Sequence, residues 1–188
     1  MHCLSEIDRN NILELTRQAV TEAVTQKRLL REIPENELFE RPSGVFVTIH
    51  VDGKLRGCIG VIQPKEPLGE SVARCAFSAA LEDPRFSPVR PEELPNLEIE
   101  VSLLSALERI QPEHVEIGKH GLLVERGFHR GLLLPQVASE HHLGREEFLG
   151  ETCHKAGLPV DAWKAPDTRI YSFTCEIVAE EKIKKPAP

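Results

Sequence analysis

No stretch of this chain approaches the roughly 20 consecutive apolar residues that a membrane-spanning helix needs, and the opening Met1-His2-Cys3-Leu4-Ser5-Glu6 lacks the basic-then-apolar layout of a secretory leader. These absences lead us to expect a cytoplasmic protein with no membrane partner. Positive charge is also scarce: 23 basic residues stand against 30 acidic ones, for a net charge of -7. Phosphate backbones demand a concentrated positive surface, so nucleic acid is not an expected partner. The one basic cluster, Lys182-Ile183-Lys184-Lys185, sits in the C-terminal residues and reads as a solvated tail. The five cysteines, Cys3, Cys58, Cys75, Cys153 and Cys175, include no C-x-x-C pair, which removes the signature of zinc ribbons, thioredoxin-like sites and iron–sulfur clusters. Reduced thiols and no disulfide are expected. There is neither an internal repeat nor a low-complexity segment, and 188 residues are too few for a barrel enzyme.

What remains is the composition of a folded domain, 40% hydrophobic and 28% charged. Ser5 and Asp8 form a capping-box pattern ahead of Ile7, Ile12, Leu15, Ala19 and Ala23, which predicts an amphipathic helix running to about Leu30. Strict alternation of Val45, Val47, Ile49 and Val51 predicts a half-buried strand, and Asp52-Gly53 a hairpin turn into a return strand from Lys54 to about Ile62. A second helix is expected over Leu68 to Ala80, ending before Asp83-Pro84. Further strands are expected at Leu97 to Leu107 and Ile170 to Val178, a second hairpin over Gly121 to Leu134 around Gly127, and a short helix over Arg145 to Ala156. We expect Ile99 and Val101 to be buried, with both faces of the sheet covered there. Hairpins dominate, so the fold class is α+β with a mainly antiparallel sheet and flanking helices.

Chemistry concentrates in Leu55-Arg56-Gly57-Cys58-Ile59-Gly60, where two glycines interrupt a strand and mark either a bulge or a close approach to the backbone. With a two-residue turn at Asp52-Gly53, Ile49 faces Arg56 and Val47 faces Cys58, which sets Arg56 and Cys58 on the apolar side of the hairpin. An arginine there needs a partner, because an unpaired buried charge costs several kcal/mol. Asp83 is the favoured partner and Glu100 the second, with Glu98 a further candidate on the same strand. A guanidinium beside Cys58 favours the thiolate that a nucleophilic cysteine requires, while a strand cysteine next to glycine also reads as a small buried filler. Asp83-Pro84-Arg85-Phe86 either contributes an anionic pocket or simply stops a helix, with Phe86 filling the core. His120 is a general base or a turn residue. His141-His142 and Cys153-His154 lack a third ligand at useful spacing, so no metal site and no cofactor are expected.

The segments LRGCIG (55–60), ALEDPRFSPVRPEELPNLEIEVSLL (80–104), HGLLVE (120–125), LLLPQVASE (132–140) and KAGLPVDAW (155–163) together resemble the AMMECR domain family, in prokaryotes also called AmmeMemoRadiSam system protein A. The resemblance runs from about Glu6 to Glu180. It implies a single domain spanning 1–188 with a larger and a smaller lobe, a groove between them and a flexible tail over 181–188. It implies no established activity. Prokaryotic members tend to be encoded beside a Memo-like protein and a radical SAM protein, which makes those two the partners the resemblance suggests. Its motifs fall here on Arg56, Gly57, Cys58, Ile59 and Gly60, and on Asp83, Arg85 and Phe86.

Two functions follow as expectations. One is an accessory or binding module whose groove takes a peptide, a small molecule or the two partner proteins, with Arg56, Gly57, Ile59, Gly60, Asp83, Arg85 and Phe86 as binding residues. The other is a thiol-dependent enzyme acting on a small anionic substrate, with Cys58 as nucleophile and His120 or Glu100 as proton carrier.

Overall fold

Ser5 caps the first helix as its sequence suggests: its hydroxyl accepts the Asp8 N–H and the Asp8 carboxylate accepts the Ser5 N–H. The computed structural model describes residues 4–180, and this helix, α1, spans Glu6–Gln26. It stops short of Leu30 because Lys27 turns left-handed, at φ 55°, and its N–H closes back on the Ala23 carbonyl. Ile12, Leu15, Ala19 and Ala23 are buried as the helical period demands, but Ile7, about a third of a turn off the stripe those four form, is exposed.

The chain divides into two compact units, one made of the residues up to Leu104 together with those from Glu176 onward, the other of Ser105–Cys175. The first unit holds α1, a single helical turn α2 (Glu37–Glu40), the hairpin β1 (Val45–Val51) and β2 (Lys54–Val61), helix α3 (Leu68–Leu81) and strand β3 (Leu97–Leu104). The hairpin turns where the sequence places it, with Asp52 and Gly53 both at positive φ, the geometry a two-residue turn needs to match strand twist. The second unit holds β4 (Glu108–Arg109), β5 (Gly121–Arg126), β6 (His129–Leu133), α4 (Pro135–Glu140), α5 (Arg145–Lys155) and β7 (Arg169–Phe173). Strand β8 (Cys175–Ala179) completes the first unit's sheet, ordered β2-β1-β3-β8, while the second unit's sheet is ordered β4-β7-β5-β6. Every register resolved in the two sheets is antiparallel, so the fold is α+β with antiparallel sheets and flanking helices.

Three strand expectations need correcting. The strand from Ile170 to Val178 is two strands, interrupted at Thr174, where the chain leaves one sheet for the other. Strand β3 ends at Leu104, and the short β4 follows separately. Ile99 and Val101 are buried, but residues two apart share a face, so they report one covered face only; Glu98 and Glu100 on the other face are half-buried. The covered face carries Val45, Val47, Ile49, Leu97, Ile99, Val101 and Leu103, joined in one core with the apolar sides of α1 and α3. Lys182 to Lys185 lie outside the described residues.

Candidate functional site

A β-bulge decides where the LRGCIG residues point. Val51 pairs with Lys54 and His50 with Leu55, but Ile49 then pairs with Gly57, which leaves Arg56 as the extra residue. Every later pair shifts by one: Thr48 opposes Cys58, Val47 opposes Ile59 and Phe46 opposes Gly60. The expected apolar setting of Arg56 and Cys58 is therefore overturned. Cys58 belongs to the sheet face of Phe46, Thr48, Glu100 and Ser102, and Gly57 and Ile59 take the helix-covered face instead. Gly57 has to be glycine there, since a Cβ would overlap the Ala79 carbonyl of α3. Ile59 packs half-buried against the core. A Cβ on Gly60 would meet the ring of Phe46.

Arg56 finds a carboxylate, though not one of the expected three. Its Nε donates to Glu93 Oε1 at 2.8 Å and its Nη2 to Glu93 Oε2 at 3.2 Å, while Nη1 and Nη2 donate to the carbonyls of Ser87 and Pro88. The bulge takes Arg56 out of the unbulged register on which the expected pairing with Asp83 or Glu100 rested, and its side chain bonds the 87–93 segment instead. Both partners are largely buried, and the fork holds Glu93 well down, at about 2.

Asp83 does different work. Its side chain is 2% exposed, and Oδ2 accepts the backbone N–H of Cys58 at 2.8 Å. The Arg85 guanidinium grips both oxygens, through Nε at 3.0 Å and Nη2 at 2.7 Å. These bonds, Arg85 foremost, hold the Asp83 carboxyl well below the usual carboxylate range. Arg85 also donates to the Cys58 carbonyl at 3.0 Å, and its guanidinium carbon lies 5.4 Å from the centroid of the Phe86 ring. Asp83 and Arg85 thus clasp the outward backbone of one residue, Cys58, on edge strand β2.

The Cys58 thiol is half-buried, and its sulfur accepts the Thr48 hydroxyl at 3.2 Å. Glu100 pairs with Thr48 on the neighbouring strand and so stands on the same face. His120 belongs to the other unit, where its Nδ1 accepts the Glu116 N–H at 3.1 Å. Phe86 is half-buried under Arg85. Thr48 and Glu93 escaped the sequence reading. The polar positions alternating with Val45, Val47 and Ile49 marked Thr48's face, whereas nothing local distinguished Glu93 from the other acids of the proline-rich link.

Among the described residues no group of three His, Cys, Asp or Glu side chains converges as metal ligands would, and no helix is long and apolar enough to cross a membrane. The second unit's buried centre is apolar, built on Val115, Leu122, Val124, Phe148, Leu149 and Ile170.

The chain is thus a two-sheet α+β protein whose glycine-broken edge strand is clasped by an Asp-Pro-Arg-Phe turn. The AMMECR1 family matches residues 13–178, and the chain belongs to that family. It is 47% identical to a protein of Thermococcus gammatolerans, over 93% of this chain and 91% of that one. Protein TK0174 of Thermococcus kodakarensis is 46% identical over the same shares. Among solved structures it is similar to the uncharacterized protein PH0010 from Pyrococcus horikoshii, with a TM-score of 0.85 at 41% identity, covering 93% of this chain and 92% of that one.

Proposed function

We propose that this protein is a cytoplasmic binding or accessory module that works with a Memo-like protein and a radical SAM protein. The observation that carries the reading is the use to which the motif residues are put. Cys58 is held by its backbone, its N–H by the Asp83 carboxylate and its carbonyl by Arg85, while its sulfur accepts a hydrogen bond from the Thr48 hydroxyl. Arg56 and Asp83 are saturated by Glu93, by backbone carbonyls, by Arg85 and by the Cys58 N–H. These residues fix a strand edge in place, which suits recognition.

The test is direct titration of the purified chain with the Memo-like and radical SAM proteins of the same genome, each alone and together. Binding to at least one, retained in Cys58→Ser and weakened in Arg85→Ala, is the expected result; no binding to either sinks the reading. One observation favours a thiol enzyme with a small anionic substrate as the second reading. Arg85 is about half exposed beside the Cys58 carbonyl, where it can meet an anion near the thiol. That reading requires stoichiometric, saturable labelling of Cys58 by an anionic electrophile such as iodoacetate, faster than by neutral iodoacetamide and slowed in Arg85→Ala.

A further inference from the structure

Alternate residues of an edge strand turn both their N–H and their C=O outward, a ready template for another strand. On β2 Cys58 is such a residue, and Asp83 and Arg85 satisfy both of its groups. Gly60, two residues on, points the same way and pairs with Phe46 on its inner side. Among the described residues neither the N–H nor the C=O of Gly60 meets a partner. Nor does Gly60 carry a side chain to shield the edge. Close by, the Arg85 guanidinium is 53% exposed while steadied by Asp83 and Phe86.

We propose that this edge of β2 binds the free C-terminus of an extended peptide by strand addition, the peptide backbone pairing with Gly60 and its terminal carboxylate with Arg85. This rests on the reading of the protein as a binding module and names the class of partner. The polarity follows from the clasp. Asp83 and Arg85 block the edge at Cys58, so an added strand must end there. An antiparallel strand arrives with its C-terminus, a parallel one with its N-terminus. The exposed charge at the block is a guanidinium, which attracts a carboxylate and repels an ammonium, and the two Asp83 oxygens are already bonded to Arg85 and to the Cys58 N–H. Gly60 and Cys58 are about 7 Å apart along the strand, so the carboxylate falls one or two residues beyond the peptide residue opposite Gly60. That residue sets its side chain on the face where the Phe46 ring covers Gly60, which favours an apolar or aromatic side chain.

The test uses the full chain and random hexapeptides attached through their N-termini, one pool ending in a free carboxylate and its twin in an amide. Retention on the free-acid pool, weaker on the amidated pool by about tenfold, is expected from loss of a charged hydrogen bond. Arg85→Gln should bring the two pools level. The same free-acid peptides, made in soluble form and added to nitrogen-15-labelled wild-type protein, should shift the Gly60 amide resonance, a readout that depends on no variant folding. Equal retention of the two pools, or no shift at Gly60, overturns the inference. If that happens while the Memo-like or radical SAM protein still binds, the module reading stands and only the C-terminal peptide is wrong; peptide binding without either protein gives the converse.

Discussion

The Asp83 carboxylate and the Cys58 backbone N–H meet at 2.8 Å across 25 residues of sequence, and this bond, with Arg85 behind it, closes part of the exposed edge of the first unit's sheet. Its burial makes Asp83 the side chain on which the clasp depends. Replacing Asp83 by Asn keeps the shape but forfeits the charge-assisted bonds to Arg85. Because Arg85 remains half in water, the loss stops short of stranding a buried cation. The expected cost is about 1–3 kcal/mol, read as a lower midpoint in urea with an unchanged m-value. An Asn variant as stable as the parent would show that the clasp contributes nothing to folding.

Glu93 supplies a pH dependence whose sign is fixed. Arg56 holds its folded-state value at about 2, against an ordinary value of 4.5. As pH falls, the unfolded chain takes up the proton first, so the stabilisation is fully present above roughly pH 4.5 and disappears as pH drops toward 2. Asp83, shifted in the same direction, adds to the same acid limb. Glu93→Gln should therefore lose about 2 kcal/mol at neutral pH and show a shallower fall in stability between roughly pH 4.5 and 2. Parallel acid limbs for parent and variant would contradict this.

Gly57 and Gly53 are glycines for different reasons. Gly53 sits at φ 75° in open space, so Gly53→Ala meets backbone strain alone, about 1 kcal/mol. At Gly57 the added methyl must displace the α3 backbone at Ala79, which calls for a larger cost, about 2–3 kcal/mol or more. Thermal unfolding of the two variants should rank them in that order.

The thiols should separate by burial. Cys75 and Cys153 are buried, and burial pushes Cys75 up to about 12 and Cys153 upward as well. Cys58 and Cys175 are half-buried. In the native protein a maleimide should label Cys58 and Cys175 well before Cys75 and Cys153, whose labelling should track unfolding. Mass spectrometry of the labelled peptides reads the order, and early modification of Cys75 would contradict it.

Local chemistry was legible in the chain. Asp52-Gly53 is read as a turn because both positions adopt positive φ at little cost, and the apolar alternations of β1 and β3 and the helical period of α3 each lie within a dozen or so residues. The sequence also singled out Cys58, Asp83 and Arg85, though in two separate motifs, and carried the family resemblance. The two glycines offered a bulge as one reading of this strand, but not its place at Arg56. One extra residue there moves every later side chain of β2 to the other face, and its place is not written in Leu55-Arg56-Gly57, because Gly57 packs against Ala79 on a helix that comes later. The same shift gave Arg56 to Glu93 and left Asp83 for the backbone of Cys58. Turns and periods are settled by neighbours in sequence, whereas register across a bulge and the choice among several acids are settled by which groups the packed helix and sheet bring within about 3 Å of one another, and only the tertiary structure decides that.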